Sequence, residues 1–296
     1  MKEFKGVVVA MVTPFKEDGS VNYEQEEKLV RHFIKQGVNG ILVSGGTGEY
    51  STLSIEERKK VIACATEIIK DTEVFSIAGI SCNATKDTVE LAKYSGEVGA
   101  DYVLALPPYA IPVSKTGMVD YFKEIKNSTN ARLILYHFPG ETNVELSAEE
   151  IVEMGREGIF DAVKDTASME HTMELIVANG HKKNLKISNG FDSLVLASLA
   201  SGADAIITAG ANMVPNQFVK IYKLIKENNV AAAAAIYEEI MPLLNLQEKD
   251  GNTEVAICKY CLKLQGIDVG IPRKPVTDIS NEAKEAVKKR FSEINY

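Results

Sequence analysis

Short apolar runs recur along the first two-thirds of the chain. They are Val7-Val8-Val9-Ala10-Met11-Val12, Gly40-Ile41-Leu42-Val43, Val74-Phe75-Ser76-Ile77-Ala78, Tyr102-Val103-Leu104-Ala105-Leu106, Leu133-Ile134-Leu135-Tyr136, Phe160-Asp161-Ala162-Val163-Lys164, Leu185-Lys186-Ile187-Ser188 and Ala205-Ile206-Ile207-Thr208. Most are apolar nearly throughout rather than alternating, as expected of parallel strands covered on both faces. Between them the spacing turns helical. One such segment runs from Tyr23 to Gln36, with Leu29, Val30, Phe33 and Ile34 as its stripe, and another opens on the capping-box pattern Ser54-Ile55-Glu56-Glu57. Further helices are predicted from near Thr85, Lys115, Ser147, Ser168, Asp192 and Pro215. Eight βα units predict a (β/α)8 barrel over residues 1–228. A doubly wound open sheet fits less well. It uses about six strands, and no Gly-x-Gly-x-x-Gly opens a helix after the first run.

After about residue 229 the pattern is helical only: the alanine run Ala231 to Ala235, then Ile236 to Leu246, Val255 to Leu264 and Asn281 to Phe291. Alanine is the best helix former, so the run predicts a helix rather than a linker. No Pro/Gly/Ser-rich stretch separates this part, so residues 229–296 are expected to pack on the barrel. Ile271-Pro272-Arg273-Lys274-Pro275 is expected to be extended, because proline disfavours helix in the residue before it.

Composition narrows the function classes. The 296 residues are 45% apolar and 25% charged, with a net charge of −8 and a pI near 5.3. That lacks the basic footprint of a nucleic-acid binder. No apolar run approaches the roughly 20 residues of a membrane span, and the opening Met1 to Gly6 lacks a secretory signal's apolar stretch. Four cysteines are too few for a disulfide scaffold in a chain this long. The expectation is a cytoplasmic protein with no nucleic-acid or membrane partner.

In a (β/α)8 barrel the reacting groups come from the C-terminal ends of strands. Lys164 closes the sixth run and would point into the barrel mouth. Two readings stand: a surface lysine or one paired with Asp165, and an amine whose pKa is lowered by burial so that it attacks a ketone carbonyl. Gly45-Gly46-Thr47-Gly48 ends the second strand, either as a tight turn or as a small nest suited to a carboxylate. Tyr136 either closes the core or relays a proton. His137, one residue on, should face the helix layer and serve structure. Cys258-x-x-Cys261 lacks a second pair for zinc, and the four histidines (His32, His137, His171, His181) form no ligand-spaced cluster, so neither a metal nor another cofactor is expected.

Taken together, Gly-Gly-Thr-Gly-Glu after strand two, Tyr-x-x-Pro after strand five and Val-Lys-Asp-Thr at strand six resemble the dihydrodipicolinate synthase / N-acetylneuraminate lyase family. Met11-Val12-Thr13-Pro14-Phe15 with Asp18-Gly19, Asn189-Gly190-Phe191-Asp192, and Arg273-Lys274-Pro275 are similar too, in order over nearly the whole chain. The resemblance implies a class I pyruvate lyase or aldolase. Lys164 would form a Schiff base with pyruvate, Gly46 and Thr47 would hold its carboxylate, and Tyr136 would be the general acid/base. Tyr109 looks like the family tyrosine that reaches into a neighbouring subunit's site. A homotetramer built as a dimer of dimers is implied as well.

The sequence departs from the family at three places. Many members carry a second hydroxyl where this chain has Gly46. The synthases carry an arginine shortly after Tyr-x-x-Pro, where this chain reads Gly140-Glu141-Thr142-Asn143. The sialic acid lyases place Asp-Glu where this chain has Asp192-Ser193. The expected substrate is therefore a 2-keto-3-deoxy sugar acid giving pyruvate and an aldehyde, with Asp192, Glu141 and Thr166 as polyol contacts; each of the three has a plainer reading as a cap or a solvated loop residue. The alternatives are condensation of pyruvate with aspartate semialdehyde, N-acetylneuraminate cleavage, a dehydratase or deaminase sharing the imine, and a non-catalytic barrel that binds a keto acid.

Overall fold

The eight apolar runs form eight parallel strands in a computed structural model that describes residues 2–180, 185–247 and 253–294. The strands are β1 (Gly6–Ala10), β2 (Gly40–Val43), β3 (Phe75–Gly79), β4 (Tyr102–Ala105), β5 (Arg132–His137), β6 (Ala162–Asp165), β7 (Lys186–Asn189) and β8 (Ala205–Thr208). Each pairs with the next, and β8 returns to β1, so the sheet closes in sequence order. Closure removes both edges, and every strand can be apolar on both faces.

The helices around the barrel are α1 (Tyr23–Gln36), α2 (Ile55–Ile69), α3 (Thr85–Glu97), α4 (Lys115–Ser128), α5 (Pro139–Thr142), α6 (Ala148–Arg156), α7 (Met169–Asn179), α8 (Val195–Ser201) and α9 (Pro215–Lys226). The C-terminal segment adds α10 (Val230–Leu244), α11 (Glu254–Leu264) and α12 (Asn281–Ser292). The capping box at Ser54 is present, with Ser54 accepting from the Glu57 amide and Glu57 from the Ser54 amide. Ser147 and Ser168 are N-caps, and Pro215 occupies the first turn of α9, where its missing N–H costs nothing. The one-turn α5 is absent from the hydrophobic pattern, because four residues carry no periodicity.

Two cores result. The inner one fills the barrel with Val8, Ala10, Leu42, Ile77, Leu104, Ile134, Ala162, Ala205 and Ile207. Its N-terminal end is plugged by Phe4, Phe75 and Tyr102, whose ring centroids lie 5.4–5.7 Å apart. Gly40 makes room for that plug, since a Cβ there would come within 2.4 Å of the Phe75 ring. The outer core lies between strands and helices and runs on into Ile240, Leu243, Ile257 and Leu262 of the C-terminal helices. That continuity seats α10 and α11 against the barrel. A buried ion pair adds to it: Lys259 Nζ of α11 lies 2.7 Å from Glu49, just after the β2 turn. With the N-terminal end plugged, the opposite end is left to hold a site.

Candidate active site

The C-terminal ends of the strands open into a cavity of about 970 Å³. All eight residues selected from the sequence line it: Gly46, Thr47, Tyr109, Tyr136, Glu141, Lys164, Thr166 and Asp192. The ends of α10 and α11 roof it through Met241 and Glu254.

Tyr136 and Lys164 are register partners on β5 and β6, so their side chains emerge side by side. Lys164 is 7% exposed. Its Nζ lies 4.1 Å from the centre of the Tyr136 ring and within ion-pair distance of no carboxylate among the described residues. Asp165, the partner considered from sequence, points to the other face. Gly190 leaves the space Lys164 occupies; a Cβ there would lie 2.6 Å from Lys164 Cε and 2.1 Å from Thr166 Oγ1. Burial lowers the Lys164 amine to about 8, and Glu254, Glu141 and Asp192 hold it from falling further. Burial pushes the Tyr136 hydroxyl up, so it stays protonated. Thr166 faces that hydroxyl and offsets part of the rise, while its own oxygen lacks a well-formed partner.

The turn after β2 sits between a cation and an anion. Behind it, buried Arg58 of α2 donates to Ser44 Oγ at 2.8 Å and to the carbonyls of Gly79 and Ser81, each at 2.8 Å, and makes no ion pair among the described residues. On the cavity side, Thr47 Oγ1 donates to Glu254 Oε1 at 2.9 Å. A Cβ on Gly46 would meet nothing within 4 Å, so the missing hydroxyl of the family pattern leaves open space. Sequence reasoning missed both Arg58 and Glu254. Both lie on helices, away from the strand ends where a barrel gathers its chemistry. The detectable signal for Glu254 was an acid following Thr253 at a predicted helix start; Thr253 is the N-cap of α11.

Tyr109 lines its own chain's cavity beside Tyr50, whose hydroxyl is pushed up by burial and by its tyrosine neighbour. Asp192 accepts from Thr208 Oγ1 and from the Gly210 amide at 2.9 Å, so its oxygens are engaged by β8 and the turn after it. Glu141 stands at the exposed rim, its pKa raised by partial enclosure and opposed by the Lys164 charge.

The histidine expectation needs correction. His137 faces outward as alternation predicts, but it does not stand alone: with Asp165 and His171 it brings ligand-type atoms within 4.8 Å of one another. The spacing 137, 165, 171 conceals this, because β5–β6 register pairs His137 with Asp165. The hydrogen bonds assign the protons. His137 Nε2 accepts the Leu146 amide at 3.2 Å, so its Nδ1 carries the proton given to Asp165 Oδ1 at 2.9 Å. His171 sets Nε2 2.9 Å from the Leu146 carbonyl and Nδ1 3.0 Å from Asp165 Oδ1, two acceptors that favour the imidazolium. Its pKa is accordingly raised, with burial opposing and Asp165 prevailing. Coordinating a metal through the two Nδ1 atoms would cost both N–H bonds and leave the Leu146 amide facing an N–H. The cluster is complete as a hydrogen-bonded triad. Cys258 and Cys261 are buried, and burial pushes both thiols up, away from the thiolate that zinc binds. His181 lies outside the described residues.

Residues 3–294 match the Dihydrodipicolinate synthetase family. The chain belongs to that family. A 4-hydroxy-tetrahydrodipicolinate synthase of Oceanobacillus iheyensis is 30% identical over 293 residues, covering 99% of this chain and 98% of its own. Among solved structures, a sialic acid aldolase of Ruminococcus gnavus, a catalytic lysine mutant, superposes with a TM-score of 0.92 at 25% identity over 99% of this chain and 97% of that one. YagE of E. coli K12, a family member in complex with pyruvate, gives 0.92 at 25% identity over 98% of each chain. This dihydrodipicolinate synthetase family protein is thus a class I, pyruvate-dependent carbon–carbon lyase or aldolase. No helix among its described residues is long and apolar enough to cross a membrane.

Proposed function

We propose that this family member cleaves a 2-keto-3-deoxy sugar acid to pyruvate and an aldehyde through an imine on Lys164. The uncharged amine attacks C2 of the keto acid, and the carbonyl oxygen leaves as water, giving a protonated imine. The electron pair of the C3–C4 bond moves into that electron sink as the C4 hydroxyl loses its proton; aldehyde departs and an enamine remains. The enamine takes a proton at C3, water adds to C2, and pyruvate leaves with the lysine restored. Tyr136, kept protonated by burial, donates to the departing carbinolamine oxygen and moves the C4 proton. The Gly46 and Thr47 amides hold the keto acid's carboxylate, with buried Arg58 supplying a positive field behind them.

One observation carries the substrate choice: Lys164 is the sole basic side chain among the described residues lining the cavity, facing Glu141, Asp192 and Glu254. A second substrate carboxylate would be desolvated there without a cation, whereas hydroxyls are suited to such acceptors. Thr166, beside the Tyr136 hydroxyl, and Glu141 at the rim are the polyol contacts this reading favours. Tyr109 contributes from the wall beside Tyr50. The relatives named for 4-hydroxy-tetrahydrodipicolinate synthesis favour a second reading, condensation with aspartate semialdehyde, which the acidic lining disfavours. Family likeness also supports a cytoplasmic homotetramer, which light scattering would test. Pyruvate release from a panel of 2-keto-3-deoxy acids tests the substrate. A hydroxylated keto acid should be cleaved and aspartate semialdehyde should be a poor acceptor; efficient turnover of the semialdehyde would overturn the choice.

A further inference from the structure

Thr47 has one hydroxyl proton, and in this structure Glu254 holds it: Thr47 Oγ1 donates to Glu254 Oε1 at 2.9 Å. Under the imine reading, which this inference deepens, the same turn must receive the carboxylate of the keto acid. Two carboxylates then compete for one donor at one wall. Glu254 lines the same cavity as Lys164, whose charged form it favours. Its backbone is not free to retreat. It lies in the first turn of α11, N-capped by Thr253 through the Ala256 amide. One turn on, Cys258 Sγ bonds the Ala209 carbonyl at 3.4 Å and Lys259 pairs with Glu49 at 2.7 Å.

We infer that Glu254 is a specificity-determining residue that occupies the keto-acid carboxylate subsite at rest and must be displaced from Thr47 when substrate binds. Pyruvate carries no hydroxyl with which to bond the displaced carboxylate. A keto acid with a hydroxylated tail offers donors that take up the Glu254 carboxylate as Thr47 is surrendered. The cavity thereby discriminates against bare pyruvate and in favour of the hydroxylated substrate by differential pairing of one half-buried acid.

The experiment compares wild type with Glu254→Gln, which keeps shape and removes the charge, and with Glu254→Ala, each checked for folding by circular dichroism and thermal midpoint. The readout is the pyruvate concentration giving half-maximal borohydride-trapped imine, in which hydride adds to C2 and fixes a secondary amine. Removing a charged competitor should lower that concentration about tenfold, the size of one charge-assisted hydrogen bond. The preference for a hydroxylated keto acid over pyruvate should shrink by a similar factor. In a Thr47→Val background, where there is no hydroxyl to contest, the Glu254→Gln shift should fall well short of tenfold. An unchanged pyruvate curve in folded Glu254→Gln and Glu254→Ala overturns the inference and leaves the imine reading standing. Absence of any trapped adduct in wild type and variants alike overturns both.

Discussion

Two lysines in this molecule have been driven to the same state by burial, and only one of them opens onto the cavity. Lys164 is 7% exposed and Lys259 is 2% exposed. Desolvation lowers each amine to about 8. Lys259 is held 2.7 Å from Glu49, stacked 4.2 Å from the Phe15 ring, and lies outside the cavity lining. Lys164 has no ion pair among the described residues, meets a tyrosine that stays protonated, and opens onto about 970 Å³ of space. A depressed lysine pKa therefore marks burial, and chemistry requires the additional facts of an uncommitted nitrogen and room for a ketone.

The comparison breaks most sharply by substitution. Lys164→Ala should abolish pyruvate release while circular dichroism and thermal melting stay native-like; residual cleavage within tenfold of wild type would move the chemistry elsewhere. Tyr136→Phe should slow cleavage by roughly 10²–10⁴, the usual contribution of one acid–base group, with substrate KM little changed. Lys259→Met should do the reverse. Leaving Glu49 buried without its cation should cost about 3–5 kcal/mol of stability, measured by urea unfolding, while kcat of the folded enzyme stays within about tenfold.

Acidity provides two gentler tests. Imine formation needs the free amine, so kcat/KM should climb as pH rises through about 8 and then level; a limb centred at an ordinary lysine value would contradict the burial of Lys164. For stability the relevant pair is His171 and Asp165. His171 has a raised folded pKa, so its contribution is complete below the unfolded histidine value and is lost as pH rises through the folded one. Asp165 has a lowered folded pKa, so its contribution is present above the unfolded carboxylate value and lost as pH falls through the folded one. Stability should be greatest between those limits, and His171→Gln should remove the alkaline loss from the urea midpoint. The smallest effect is expected at Gly46→Ser, where a side chain meets open space; its change should stay within about 1 kcal/mol.

Much of this was legible in the chain. Eight near-continuous apolar runs separated by helical spacing leave few topologies, and strands buried on both faces write themselves as Val, Ile and Leu. Strand ends then nominate Lys164, Tyr136 and Thr47, because a barrel confines its chemistry to one rim. Alternation also placed His137 on the far face from Tyr136. The triad of His137, Asp165 and His171 was not legible, since it depends on which residues of neighbouring strands stand opposite each other. Glu254 was hidden for a related reason. A helix that roofs the barrel reaches the site from far along the chain, and no local pattern records where its first turn will land. The pairing of Lys259 with Glu49 likewise joins two segments with no sequence relation.

The most direct test is to treat the protein with saturating pyruvate and borohydride, digest it, and locate the adduct by mass. A single reduced pyruvate on the peptide bearing Lys164, with the Lys259 peptide unmodified, is the predicted result. A modified Lys259, or an unmodified protein, would contradict the assignment of Lys164 as the imine-forming amine.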